Sequence, residues 1–287
     1  MPSPALPAGT VDVSAAGAVA ETLRRLRARA PLVHSIANLV VTNTTANALL
    51  AIGASPAMVE WEGESGPFAR IADALVINLG TMTPQRARGM HAAASAAREA
   101  ATPWVLDPVA VGALTYRSEV AVALLAHRPQ AIRGNASEIL ALDALSAPAT
   151  AGSTAASGRG VDSAHAADAA LDAARNLSHS TGAIVTISGP IDFVTDGRRL
   201  TTVHNGHPMM PRVTGLGCTA TALIGACLAV EPDPFAASVH GMVLIGLAGE
   251  IAAERARGPG SLQVELLDTL YRLDDDTIRD RAHIRTR

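Results

Sequence analysis

Short apolar runs recur along the chain and stop at loops rich in Gly, Asn or Asp: PLVHSIAN (31–38), PAMVE (56–60), ALVINLG (74–80), PWVLDP (103–108), QAIRGN (130–135) and GAIVTISG (182–189). They lack the inside–outside alternation of a half-solvated strand, so they predict strands buried on both faces. Ala-rich helical patterns lie between most of them, as in TPQRARGMHAAASAAREA (83–100) and TYRSEVAVALLAHR (115–128). Strands separated by helices predict a mainly parallel sheet covered on both sides. IDFVTDGRRLTTVHNG (191–206) has a DG turn between β-prone runs and predicts a hairpin beside the last parallel strand. Three helices without a strand between them are expected to follow. The fold class is therefore α/β, a single-domain three-layer αβα sandwich over residues 1–287. Residues 1–13 read as a loose tail, and the Ala/Ser/Gly-rich stretch 146–160 as a mobile surface loop or a frayed helix end.

The segment FAASVHGMVLIGLAGEIAAERA (235–256) is apolar enough to suggest a membrane span, but His240, Glu250 and its small residues favour a buried helix. The N-terminal stretch has no positive region leading into an apolar core, so it predicts a cytoplasmic protein rather than a secreted one. Charge is near balance, with 23 basic and 26 acidic residues, and every basic residue is Arg. Without Lys there is neither a Walker-type phosphate lysine nor a Schiff base. Without excess positive charge, nucleic acid is not an expected partner. A phosphate ligand must then be held by Arg, by backbone N–H groups or by a metal.

In open α/β sheets, ligands bind outside the C-terminal ends of the strands. The residues just past each run are Asn78 and Gly80 to Met82; Asp107; Arg133, Asn135 and Glu138; Ser188 and Gly189; and Gly215 to Cys218. Asp107 before a proline reads equally as a turn cap. In IRGNASEI, Arg133 can pair with phosphate oxygens and Asn135 caps a helix. Glu138 is then either a capping-box carboxylate or, with Asp107 across the cleft, a group acting on Mg²⁺ through water.

The stretch VTGLGC (213–218) puts flexible backbone at a helix start, where free N–H groups and the positive dipole end favour an anion. Cys218 and Cys227 lie nine residues apart on that predicted helix, on opposite faces and roughly 13 Å apart, too far to bridge. A helix N-terminus lowers a thiol pKa, so Cys218 is expected to have thiolate character. Cys227 reads as core.

Taken in order, PLVHSIANLVVTNTTANALLAIGASPAM, ALVINLGTM, WVLDPVAVGA, IRGNASEI, GVDS (160–163), NGHPMM, VTGLGC and GPGS (258–261) closely resemble the hydroxyethylthiazole kinases, which are ribokinase-like enzymes. The resemblance runs from about residue 20 to 273. It implies ATP-dependent phosphorylation, with Mg²⁺, of the primary alcohol of 4-methyl-5-(2-hydroxyethyl)thiazole in thiamine salvage. It also implies a homotrimer with interface active sites. By resemblance, Met58 and Gly215 fall on thiazole-binding positions, Arg133 and Ser188 on ATP-binding positions, and Asp107 and Glu138 near the metal. Cys218 falls on the catalytic position where most ribokinase-like enzymes have Asp. The chain departs from the usual pattern at Leu216 (commonly Thr), Ala110 (commonly Gly), Ser188 (commonly Thr of a TG pair), and Ser35 and Ala37. Related readings are a kinase of a pyrimidine alcohol, a nucleotide-hydrate dehydratase and a non-catalytic thiazole sensor.

Overall fold

The structure is a computed structural model that describes residues 13–147 and 163–286. Residues 1–12 of the tail expected over 1–13, most of the loop expected over 146–160, and most of GVDS lie outside the described residues, and Val13 opens a helix. The chain begins with α1 (Val13–Arg29), β1 (Leu32–Ile36), α2 (Thr42–Ile52), β2 (Ser55–Ala57), α3 (Glu62–Ile71), β3 (Ala74–Asn78) and α4 (Pro84–Ala100). It continues with β4 (Trp104–Asp107), α5 (Thr115–Leu125), β5 (Ala131–Asn135), α6 (Ala136–Ser146), α7 (Ser163–Thr181) and β6 (Ile184–Ser188). The hairpin β7 (Asp192–Thr195) and β8 (Leu200–Val203) follows, then a 3-10 turn, Met210–Arg212. The chain ends in α8 (Leu216–Leu228), α9 (Pro234–Arg255), α10 (Pro259–Arg272), α11 (Asp275–Arg281) and β9 (Ile284–Thr286).

One sheet orders these strands β2-β1-β3-β4-β5-β6-β7-β8-β9. The pairs from β2 through β6 are parallel, as the apolar runs predict, and the next two are antiparallel, as the DG hairpin predicts; the last pair, β8 with β9, is antiparallel too. Successive side chains of a strand face opposite layers. Leu75 and Ile77 enter one core with α4 to α7, while Val76 enters the other with α1, α2, α8, α9 and α10. The layers need small residues: a Cβ at Gly225 of α8 would collide with Val76. The apolar segment 235–256 is α9, buried along most of its length.

The end of the chain goes beyond the sequence pattern. The expected helices α8, α9 and α10 have no strand between them, but α11 and a ninth strand follow. β9 pairs antiparallel with β8, Val203 opposite Ile284. A three-residue strand is too short to produce a periodic signal.

Candidate active site

The parallel strands end along one edge of the sheet, and the polar groups singled out in the sequence gather there. β3 and β4 are in register at their ends, with Asn78 opposite Asp107. Asn78 Nδ2 donates to Asp107 Oδ2 at 2.7 Å, and Thr221 Oγ1 on α8 donates to the same oxygen at 2.9 Å. Asn78 Oδ1 accepts from Asn38 Nδ2 at 2.9 Å, and Asn38 Nδ2 also reaches Cys218 Sγ at 3.5 Å. Because Asp107 Oδ2 takes only donors, both amides are forced to point their NH2 groups in the direction of the carboxylate and the sulfur. Asn38 and Thr221 were not among the residues singled out. Their bonds cross 180 and 114 residues of chain, and no local spacing encodes them.

Asp107 is fully buried, and this burial pushes its pKa up to about 6; Arg133 opposes the shift and Glu138 adds to it. Cys218 is half-buried, and the expected thiolate is corrected. Burial and the neighbouring Asp107 carboxylate push the thiol up to about 11, outweighing the Asn78, Arg133 and Asn38 groups that favour the charged form. The resting residue is a protonated thiol at neutral pH. Cys227, fully buried on the same helix, is core as expected.

Glu138 satisfies the capping-box reading: Asn135 Oδ1 accepts from Glu138 N at 3.0 Å, and Glu138 Oε2 from Asn135 N at 2.9 Å. Its other oxygen accepts from Ala110 N at 2.9 Å, tying the loop after β4 to α6. The carboxylate also lies close enough to Asp107 to raise its pKa. Structural and electrostatic roles coincide in one residue.

A cavity of about 650 Å³ opens beside this edge. Arg133, Ser188 and Asp192 form one wall, Gly215 to Gly217 another, and Met210, Met242 and Ile245 an apolar recess. Gly215 caps α8 at φ 85°, and no side chain makes a capping hydrogen bond to the helix start. Gly217 lets Arg133 approach: a Cβ there would stand 2.7 Å from Arg133 Nη1. Arg133 Nε is buried without a hydrogen-bond partner, and the side chain lines the cavity, where a guanidinium can pair with an anion. Leu216, where a hydroxyl is more usual, is 6 % exposed and belongs to the apolar core beside the cavity. Asp192, not anticipated, accepts from Gly189 N at 3.0 Å, and burial raises its pKa to about 6. His207 sits in a turn, its Nδ1 accepting from Met209 N at 3.1 Å.

Met58 lies apart from this cavity, on the segment leaving the edge strand β2. In the segments that follow β1 and β2, Leu39, Val40 and Trp61 are exposed apolar side chains. Among the described residues no group of three or more His, Cys, Asp or Glu forms a metal cage. The oxygen donors present are Asp107, whose two hydrogen bonds both fall on Oδ2, and Glu138. One or two carboxylates with retained waters suit magnesium, so this donor set fits that ion.

The hydroxyethylthiazole kinase family model matches residues 23–276. A hydroxyethylthiazole kinase of Granulibacter bethesdensis is 61% identical over 260 residues, covering 91% of this chain and 92% of that protein. One of Cereibacter sphaeroides is 51% identical over 268 residues, covering 93% and 97%. The solved hydroxyethylthiazole kinase structure from Pyrococcus horikoshii superposes with a TM-score of 0.84 at 40% identity, covering 94% of this chain and 98% of that one. A Staphylococcus aureus pyridoxal kinase in complex with pyridoxal matches at a TM-score of 0.62 and 15% identity over 89% of this chain and 97% of that one, a likeness of ribokinase-like fold alone. With the family model matching most of its length and relatives at 51% and 61% identity covered nearly end to end, the chain belongs to the hydroxyethylthiazole kinase family.

Proposed function

We propose that this chain transfers the γ-phosphoryl group of ATP to the primary alcohol of 4-methyl-5-(2-hydroxyethyl)thiazole, a step of thiamine salvage. The observation that carries the reading is the open N-terminus of α8, flanked by the unpartnered Arg133 on the cavity side and by Cys218 at the strand edge. ATP occupies the cavity, its base in the apolar recess and its phosphates toward Arg133, Ser188 and the first N–H groups of α8. The thiazole alcohol lies between Met58, Gly215 and Cys218.

The alcohol oxygen forms the new O–P bond as the bond from the γ-phosphorus to the β-phosphate oxygen breaks; ADP leaves, and the alcohol's proton passes to water. A loose transition state asks for alignment and charge neutralisation more than for a strong base. A protonated Cys218 suits that demand by holding the hydroxyl in line, with Asn38 fixing the sulfur. Asp107 and Glu138 would hold Mg²⁺, Glu138 through water because both its oxygens already accept backbone N–H groups. When bound, the ion neutralises charge on the β- and γ-phosphates.

We further propose a homotrimer with the thiazole site at the subunit interface, a reading supported by the exposed apolar side chains Leu39, Val40 and Trp61 in the segments after β1 and β2. A cytoplasmic location suits an ATP-consuming enzyme with two free cysteines. The test is ADP release with Mg²⁺ in the presence of the thiazole alcohol, of pyrimidine alcohols, and of neither. Release that depends on thiazole supports the reading, and release indifferent to thiazole sinks it.

A further inference from the structure

Arg86 stands in the first turn of α4, only 5 % exposed and outside every motif that points to the chemistry. Its guanidinium donates from Nη1 to the Glu60 carboxylate and from Nη2 to the Ala37 carbonyl, and Nε has no partner. Glu60 lies two residues beyond Met58, and Ala37 immediately precedes Asn38, whose amide touches Cys218. One planar group therefore joins the segment after β2 to the segment after β1.

Further contacts pin the Met58 segment at the same place. His34 Nε2 meets the Val59 carbonyl at 2.7 Å, and burial keeps that imidazole neutral, so Nε2 carries the proton and donates. The His34 ring packs edge-on against Phe68 with centroids 5.1 Å apart. A Cβ at Gly89 of α4 would collide with the Glu60 carbonyl oxygen, so that segment lies directly on the helix.

Burying a guanidinium is costly, and apolar side chains can join two loops as firmly. What an arginine fork adds is a fixed distance and angle between two acceptors. We propose that Arg86 is a positioning residue that sets the width of the alcohol site by holding the Met58 segment at a fixed span from the Asn38–Cys218 segment. The proposal rests on the reading of Met58 as a thiazole neighbour.

The test is steady-state kinetics of the full chain carrying Arg86→Lys or Glu60→Ala. Lysine keeps the charge but lacks the planar fork that fixes the distance and angle between the two acceptors, while Glu60, half-exposed, can be truncated with little risk to folding. The expected result is a KM for the thiazole alcohol raised about tenfold, with the KM for ATP unchanged. A purely structural role would lower the folded fraction, hence kcat per mole of protein, and leave both KM values alone. Unchanged thiazole KM in whichever variants fold overturns the proposal. If the wild type does not turn over the thiazole alcohol, the functional reading fails first and takes the proposal with it.

Discussion

Glu138 Oε1 accepts the backbone N–H of Ala110 at 2.9 Å, and Ala110 is held at φ 59°. A non-glycine residue in the left-handed region costs roughly 1 kcal/mol, so the carboxylate clamps a strained turn beside Asp107. Gln at 138 would accept at one of the two N–H groups and present its NH2 to the other. Glu138→Gln is expected to lose about 1–3 kcal/mol. Ala110→Gly is expected to be nearly neutral alone and to soften that loss, because relief of strain offsets added chain entropy. A denaturant double-mutant cycle measures the coupling; strict additivity would refute the clamp.

Gly215 combines φ 85° with a Cβ position that would run into Val41 Cγ1. Gly215→Ala therefore displaces the start of α8, and kcat should fall by at least about tenfold. Adding Val41→Ala removes the collision but not the backbone strain, so recovery should be partial. Full activity in the single variant would show that the helix end tolerates displacement.

The raised pKa of Cys218 has a direct chemical readout. A thiol titrating at about 11 stays protonated through neutral pH, so alkylation by iodoacetamide should be slow at pH 7 and climb steadily with pH. Cys227, fully buried, does not compete. A plateau in rate reached below about pH 9 would contradict the protonated resting state.

Arg133→Lys should raise the KM for ATP with little change in that for the alcohol, since a point charge replaces a planar fork. Its Nε has no protein partner, so the substitution breaks no internal hydrogen bond there. Equal effects on both substrates would place the guanidinium elsewhere in the reaction.

His240 on α9 is 4 % exposed, its Nδ1 lies 2.9 Å from Thr22 Oγ1, and burial lowers its pKa to about 4. The unfolded chain, with a histidine near the usual ~6.5, binds more protons across this window, so stability falls as pH drops from about 6.5 toward 4. The contribution is on the order of 3 kcal/mol. His240→Gln should flatten that acid limb relative to wild type in thermal melts. Asp107 and Asp192, whose raised pKa values act in the opposite direction, are common to both proteins and cancel from the comparison.

Most of the architecture was legible because buried parallel strands leave runs of apolar residues; Asn135 and Glu138 sit at a strand-to-helix transition, and Gly215 and Cys218 at a glycine-rich helix start, both of which have local signatures. Asn38, Thr221 and Arg86 were not, because their roles lie in partners far along the chain. The Cys218 pKa was misread for a related reason: a helix end is visible in sequence, whereas burial and a facing Asp107 are not. Leu216, a departure by motif, turns out to belong to the apolar core that the cavity adjoins.

Asn205 borders the cavity, and its amide donates to the Arg281 carbonyl at 2.9 Å while its carbonyl accepts from His283 N at 2.8 Å. This part of the wall is thus laced by residues made 76 and 78 positions later. A nascent chain paused on the ribosome before residue 281 carries the phosphate-side groups in full but leaves Asn205 without those two partners. The order of synthesis therefore completes this wall only once residue 283 has been added.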